Sequence, residues 1–104
     1  MRHIAEFNEG EHIREIFLCK SVSPAVTKNG KEYQNVILLD KTGQIKGKIW
    51  DPNDAGIDDF SKQDYVEVTA DVNLWNNTKQ LNIKRIRVAR EGEYDPAEYL
   101  PVSP

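Results

Sequence analysis

The segment YVEVTADVNLW, residues 65–75, constrains the fold most strongly, because apolar and polar residues alternate through it without a break. Side chains of a β-strand point alternately to its two faces, so this period of two predicts a long strand with one buried face. That face holds the even-numbered positions: Val66, Val68, Ala70, Val72 and Leu74. Trp75 then falls on the exposed face, unless a bulge near the strand end reverses it.

The segment IKGKIW, residues 45–50, alternates in the same way and places a tryptophan among cations. Its two isoleucines share one face, and Lys46, Lys48 and Trp50 share the other. The isoleucine face must be the buried one, because burial would strip the lysines of their hydration. We therefore expect Trp50 on the outer face, although a tryptophan at a strand end can also fold over the rim of the core.

Three further segments are rich in β-forming residues and are separated by turn residues. They span residues 12–22, 33–40 and 80–88. Between the third and fourth strands, Asp51 and Pro52 predict the start of a short helix. Ile57 and Phe60, three residues apart, would hold one face of that helix against the core.

Three strands, a short helix and two strands follow one another in the order of a five-stranded Greek-key OB-fold barrel, an all-β fold. A change of apolar parity along the fifth strand predicts a bulge near Lys84 and Arg85. We assign residues 1–90 to this barrel. Residues 91–104, which contain three of the five prolines and four acidic side chains, are expected to form a linker or tail outside the core.

The net charge of −3 conceals blocks of opposite sign. Residues 18–50 carry six lysines against two acids, and residues 72–90 carry five cations and no acid, whereas residues 51–71 carry one lysine against seven acids. Local potential depends on which blocks the fold brings together, so the total does not exclude an anionic partner. The alternative is a solvated surface without a partner.

Aromatic and cationic residues are expected to collect on the outer face of the second and third strands and on the loops beside it. The candidate nucleic-acid-binding residues are Trp50, Lys46, Lys48, Tyr33, Asn35, Lys28, Lys31, Trp75 and Lys79. Rings that stack bases, interleaved with lysines that neutralise phosphates, are typical of sites for single-stranded nucleic acid. The alternative is a protein-interaction module that uses the same aromatic face.

The sequence shows no pattern typical of catalysis or of a cofactor site. Cys19 is the single cysteine, too few for an internal disulfide or a cysteine-based metal site. Capping and solvation explain the paired carboxylates of Asp58 and Asp59 without chemistry. No apolar run approaches the roughly 20 residues of a membrane helix. We therefore expect a cytoplasmic binding domain with no catalytic residue, metal, cofactor or membrane contact.

The stretches LLDKTGQIKGKIWD and ADVNLWNNTKQLNIKRI resemble OB domains of the replication protein A and tRNA-anticodon-binding type. Together with FNEGEHIREIFLCKS, TKNGKEY and EYLPVSP, they make the chain similar to the N-terminal OB domain of bacterial HD-domain 3′–5′ exoribonucleases of the YhaM or cmp-binding-factor type. By position, the resemblance implies that Trp50 stacks a base, that Lys46 and Lys48 contact phosphates, and that the TKNGK loop clamps the strand.

The resemblance also implies a function within a longer protein. The metal-binding His-Asp motif of such nucleases is absent here, where the histidines are His3 and His12. We therefore expect this domain to hold single-stranded RNA or DNA for a downstream HD phosphohydrolase domain that the present sequence does not contain.

Overall fold

The computed structural model describes residues 2–99, and within that range five strands close into one barrel. The strands are β1 (His12–Val26), β2 (Glu32–Asp40), β3 (Gly43–Ile49), β4 (Tyr65–Trp75) and β5 (Thr78–Val88). Around the barrel their order is β1-β2-β3-β5-β4. All neighbouring strands are antiparallel except β3 and β5, which are parallel. The predicted five-stranded all-β barrel is confirmed.

The connection between β3 and β4, residues 51–64, corrects one part of the prediction. It consists of turns and irregular backbone, and the short helix expected there is absent. The only helical elements within residues 2–99 are two 3-10 turns, Ile4–Glu6 and Pro96–Tyr99. No helix in this range is both long and apolar enough to cross a membrane.

The helix is absent because β5 uses the backbone groups that a helix would need. The Asp58 N–H donates to the Ile86 carbonyl at 3.0 Å, and the Ile86 N–H donates to the Gly56 carbonyl at 3.1 Å. These bonds hold residues 56–58 alongside β5. Ile57 and Phe60 still pack against the core, as their spacing predicted, but they do so from this irregular segment.

The first strand is longer than the sequence predicted. The sequence predicted a strand that ends at residue 22, yet β1 continues through Pro24 to Val26. β1 pairs with β4 only as far as Leu18, and beyond that point it pairs with β2 alone. Proline is tolerated in such an edge segment because one side of the strand needs no N–H donor. The loop between β1 and β2 therefore shrinks to Thr27–Lys31.

Apolar side chains from all five strands fill the barrel. The buried set comprises Ile13, Phe17, Cys19, Val36, Leu38, Ile45, Ile49, Val66, Val68, Ala70, Val72, Leu81, Ile83 and Ile86. Gly47 allows β3 and β5 to approach each other, because a Cβ added there would lie 2.6 Å from Cδ1 of Ile83. The predicted inward faces of β3 and β4 are confirmed, except that Leu74 is 44% exposed where the hairpin extends beyond the barrel.

A bulge in β5 explains the change of apolar parity seen in the sequence. The pairing with β4 shifts between Ile83 and Arg85, so Lys84 is the additional residue. Ile83 and Ile86, which lie on either side of the bulge, are therefore both buried, with 4% and 1% of their surface exposed. The predicted bulge is confirmed.

The N-terminal segment covers the barrel near the β2–β3 turn. Phe7 is buried and packs edge-to-face on Phe17, with ring centroids 6.0 Å apart. The buried carboxylate of Asp40 accepts hydrogen bonds from the N–H groups of Ile4 and Thr42, both at 2.8 Å. These bonds satisfy the charge that burial would otherwise penalise.

The C-terminal tail packs on the barrel as far as it is described. Tyr99 is 1% exposed, and its hydroxyl donates to the Ile16 carbonyl at 2.8 Å. The ring of Tyr94 stacks on that of Tyr65 with centroids 4.0 Å apart. The tail therefore contributes one buried aromatic side chain, which packs against Tyr65 with ring centroids 5.2 Å apart. Residues 100–104 lie outside the described residues.

Candidate functional site

Two aromatic rings and one ammonium group form the centre of the candidate site. The rings of Tyr33 and Trp50 lie 4.9 Å apart between centroids, with 33° between their planes. Nζ of Lys48 lies 5.3 Å from the Trp50 centroid and 5.6 Å from the Tyr33 centroid. At these distances the cation interacts favourably with both π-systems. The structure therefore brings together three of the predicted site residues.

Strand pairing places these side chains side by side. Gln34 of β2 lies opposite Ile49 of β3 in the antiparallel register, and Asn35 lies opposite Lys48. Tyr33 is therefore the next residue along β2 and lies across from Trp50, which directly follows the end of β3. Because side chains alternate along both strands, this pair shares the outer face with Lys48.

A hydrogen bond from β5 fixes the orientation of the indole ring. Nε1 of Trp50 donates to Oδ1 of Asn82 at 3.2 Å. Asn82 also pairs with Lys48 in the parallel β3–β5 register. Lys48 is thus flanked by Asn35 on β2 and by Asn82 on β5, and the two amides supply donors and acceptors beside the ammonium group.

Lys46 lies two residues before Lys48 on β3 and points to the same outer face. It is exposed and lies opposite Ile37 of β2 and Gln80 of β5. Among residues 2–99, neither Lys46 nor Lys48 forms an ion pair with a carboxylate. Both ammonium groups therefore keep their charge available to an anionic ligand.

The β1–β2 turn lies at the Trp50 end of this face and carries two predicted residues. Lys28 is exposed. Nζ of Lys31 lies 3.5 Å from Oδ1 of Asp51, so its charge is shared with a carboxylate. The turn is closed by the Thr27 N–H, which donates to the Lys31 carbonyl at 2.8 Å, and by the positive φ of Gly30, 84°. The turn is therefore ordered next to the rings.

Two predicted residues, Trp75 and Lys79, lie away from the ring pair. Trp75 pairs with Thr78, whereas the ring of Trp50 reaches Asn82, four residues further along β5. Four strand residues span about 13 Å. Trp75 also lies on β4, which β5 separates from β3, whereas Trp50 lies just beyond the end of β3. Lys79 occupies the inward register and falls on the opposite face of the hairpin from Trp75.

Sequence reasoning missed Asn82 and Gln80. Both have the outward parity of β5, since Leu81 and Ile83 between and beside them are buried. That parity was readable, but the contact with β3 was not, because it arises from the parallel β3–β5 pairing that closes the barrel. Without this pairing the two amides are surface residues of no evident role.

Two arginines on the other side of the barrel, Arg14 and Arg87, are paired with carboxylates. Arg87 contacts Glu67 at 3.2 Å and Glu93 at 2.6 Å, and Arg14 contacts Glu67 at 3.1 Å. Hydrogen bonding to Glu93 and then to Glu67 raises the pKa of Arg87, and the same guanidinium lowers the pKa of Glu93 to about 2. These charges neutralise one another and offer little to a ligand.

No group of three or more histidine, cysteine or acidic side chains within the described residues is arranged to hold a metal ion. Cys19 is buried in the barrel, and burial raises the pKa of its thiol. The thiol therefore behaves as a packed apolar group and not as a nucleophile.

Comparison with known proteins agrees with this geometry. A model of the tRNA anti-codon family, described as an OB-fold nucleic acid binding domain, matches residues 16–89. The 3′-5′ exoribonuclease YhaM of Geobacillus sp. (strain WCH70) is 36% identical over 92 residues, which are 86% of this chain and 28% of that protein. The chain thus spans less than a third of the relative it matches, and the resemblance to YhaM-type proteins is confirmed.

A solved structure supports the fold independently. The solution NMR structure of the second OB-fold domain of replication protein A from Methanococcus maripaludis matches with a TM-score of 0.56. The match covers 89% of this chain and 98% of that domain at 21% identity. At that identity the likeness establishes the fold and nothing further, and the predicted OB-fold is confirmed.

Proposed function

The chain belongs to the family of OB-fold nucleic acid binding domains, and on that basis we propose that it binds single-stranded RNA or DNA on the outer face of β2, β3 and β5. One observation carries the proposal: the ammonium group of Lys48 lies over the adjoining rings of Tyr33 and Trp50, with no carboxylate partner in the described chain. Rings for bases and cations for phosphates are what a single strand requires.

Each group on this face has a distinct role in the proposed complex. A base stacks on the Trp50–Tyr33 pair, which contributes about 1–3 kcal/mol. Lys46 and Lys48 neutralise phosphates along β3. The amide of Asn35 lies beside Lys48 and can hydrogen-bond to base edges. Asn82 holds the indole ring of Trp50 in its orientation.

The YhaM relative suggests the setting in which this domain acts. We propose that the domain is the substrate-holding part of a cytoplasmic 3′–5′ exoribonuclease and that it lacks catalytic residues of its own. In that arrangement it keeps a single strand close to a downstream HD domain, which performs the hydrolysis. Holding the substrate by two sites raises its effective concentration at the second one.

A fluorescence titration tests the binding proposal. The protein is added to a 5′-fluorescein-labelled single-stranded 12-mer of RNA or DNA, and the anisotropy of the label is followed, because Trp50→Ala removes the tryptophan that would report binding. Trp50→Ala should weaken binding by about 1–3 kcal/mol, because a stacking surface is lost. Tyr94→Ala is the matched control, since it removes a ring from a stacked pair on the tail instead. Equal affinity of the parent and Trp50→Ala would refute the role of Trp50.

Salt distinguishes nucleic acid from a protein partner on the same face. Two phosphate contacts give a slope of about −1.4 for log affinity against log salt on a single strand. An apolar protein contact would barely respond to salt. If the parent binds no oligonucleotide at low salt, the proposal fails.

A further inference from the structure

Asn29 lies in the β1–β2 turn and is followed by a residue that has no side chain. Asn29 and Gly30 are both exposed, and Gly30 has a positive φ of 84°. Because glycine has no Cβ, its backbone nitrogen is unshielded and can reach the side-chain carbonyl carbon of the preceding asparagine. Asn29 is the one asparagine in the sequence that precedes a glycine. The turn therefore holds a position where the backbone can attack a side-chain amide.

The hydrogen bonds that close the turn include one from the attacking nitrogen. The Gly30 N–H donates to the Thr27 carbonyl at 2.9 Å, and the Thr27 N–H donates to the Lys31 carbonyl at 2.8 Å. The Lys31 N–H donates to Oγ1 of Thr27 at 3.1 Å. Because the Gly30 N–H is already bonded, attack requires the turn to open. This opening is local, since residues 28–31 are all exposed and include no apolar side chain.

From these observations we propose that Asn29 is a site of spontaneous deamidation and that the product weakens the binding of an anionic strand. The first half concerns the chain alone, whereas the second half rests on the proposed function. Lys28 is exposed, and Nζ of Lys31 already lies 3.5 Å from Oδ1 of Asp51. A carboxylate at position 29 stands between the two lysines in the chain and lowers the positive potential at this end of the candidate site.

The reaction consumes water and releases ammonia. The Gly30 nitrogen loses its proton and attacks Cγ of Asn29, so that an N–Cγ bond forms, the bond from Cγ to Nδ2 breaks, and ammonia leaves with the proton. Water then opens the cyclic succinimide. Opening at Cγ restores the backbone and leaves an aspartate, whereas opening at the backbone carbonyl leaves an isoaspartate, in which the chain runs through the former side chain. Both products carry a carboxylate in place of a neutral amide, and nothing is oxidised or reduced.

The experiment follows the mass of the peptide that contains Asn29 while the intact protein is incubated at pH 7 and at pH 9. A glutamate-specific protease releases this peptide as residues 16–32. Conversion of the amide to an acid should be faster at the higher pH, because the attacking nitrogen must lose its proton. Thr27→Val removes the Oγ1 acceptor that helps to close the turn, so it should convert faster than the parent. Asn29→Gln should keep its mass.

The β4–β5 turn is a matched control within the same molecule. Asn76 and Asn77 are exposed in a tight turn with positive φ angles of 51° and 61°, but each is followed by a residue with a side chain. Their peptide should keep its mass while that of Asn29 changes. Equal conversion at both turns would refute the modification site. So would the absence of conversion at Asn29 over a period in which the urea-unfolded chain converts.

Affinity tests the consequence for binding. The converted protein, separated from the parent by ion exchange, and Asn29→Asp are titrated against the labelled 12-mer at several salt concentrations. Loss of one phosphate contact should make the slope of log affinity against log salt shallower by about 0.7 on a single strand. If the converted protein binds as the parent does, the effect on binding is refuted. If the parent itself binds no oligonucleotide, the proposed function fails and the effect on binding fails with it, whereas the mass of the Asn29 peptide still decides the modification.

Discussion

Two regions of the barrel differ in whether their cations have carboxylate partners. On the outer face of β2, β3 and β5, Lys46 and Lys48 have no carboxylate partner within residues 2–99, and Lys48 contacts two aromatic rings instead. Around β4 and the tail, Arg87 is held between Glu67 and Glu93. Lys46 and Lys48 therefore face solvent without a carboxylate, whereas Arg87 is held between two of them.

Cations that are paired with carboxylates stabilise the fold, whereas unpaired cations can bind an anionic ligand. Arg87 connects β5, β4 and the tail through its two carboxylates, so its partners are already part of the chain. Lys48 lies over rings that gain from a cation but can also accept a base. We expect substitutions in the paired region to change stability, and substitutions in the unpaired region to change affinity.

The largest effect should come from Tyr99 in the paired region. Tyr99→Ala removes a fully buried aromatic side chain, which should lower the free energy of unfolding by about 3–5 kcal/mol. Urea denaturation measures this change. Oligonucleotide affinity, measured where the variant is still folded, should be unchanged, because the ring lies on the side of Ile16 and not on the β2–β3 face.

Tyr99→Phe refines the same comparison. It keeps the ring and removes the hydroxyl that donates to the Ile16 carbonyl, so the expected loss is about 1 kcal/mol. A large fall in oligonucleotide affinity for either variant at constant folding would show that the two regions are coupled and that the division between them is wrong.

The next effect concerns the slope of affinity against salt. The double variant Lys46→Gln with Lys48→Gln removes two phosphate contacts, so the log–log slope should become shallower by about 1.4 on a single strand. Arg14→Gln is the matched control from the paired region, since it removes one cation that already contacts Glu67. An unchanged slope in the lysine variant, or an equal change in Arg14→Gln, would contradict the assignment.

A smaller effect tests whether Asn82 acts through Trp50. Asn82→Ala removes the acceptor of the indole N–H, and affinity should fall by about 0.5–1.5 kcal/mol. The same substitution is then made in a Trp50→Phe background, in which no indole N–H remains. The effect should vanish there. An equal loss in both backgrounds would show that Asn82 contacts the ligand directly.

Alternation along the strands was the most informative signal for the fold. β4 was predicted at its observed bounds, Tyr65–Trp75, because one face is buried along most of its length. The bulge at Lys84 was also readable, since only an additional residue brings Ile83 and Ile86 to the same side. The absence of a helix after β3 could not be predicted. Asp51 and Pro52 indicate only a local preference for a helix start, whereas hydrogen bonds to β5 determine the backbone path.

The candidate site was predictable only where it depends on one strand. Trp50 and Lys48 share a face through alternation alone, so they could be placed without knowing the fold. The contact between Trp50 and Asn82 joins residues 32 apart in the chain, and it follows from the β3–β5 pairing. The burial of Tyr99 could not be predicted for a related reason. The composition of the tail does not show which of its rings packs against the barrel.

The smallest effect should be a pH dependence of stability in the paired region. Nε2 of His3 contacts a Glu98 carboxylate oxygen at 2.8 Å and Nδ1 contacts Glu6 at 3.3 Å, which joins the N-terminal segment to the tail. The hydrogen bond to Glu98 raises the pKa of His3 above 6.5, and the same contact lowers the pKa of Glu98 below 4.5. Lys41, which also contacts Glu98, and the nearby Asp40 complete the charges facing the imidazole.

The sign of the pH effect follows from these two shifts. A raised histidine pKa gives a stabilisation that is complete below pH 6.5 and is lost as the pH rises through the folded-state pKa. A lowered glutamate pKa gives a stabilisation that is complete above pH 4.5 and is lost as the pH falls through the folded-state pKa of Glu98. The stability difference between the parent and His3→Gln, measured by urea denaturation at each pH, should therefore be largest between pH 4.5 and 6.5 and smaller at pH 8.5.

Oligonucleotide affinity should show no matching change between parent and variant, because His3 belongs to the paired region. A difference that stays constant from pH 5 to 9 would mean that the imidazole contributes by packing alone.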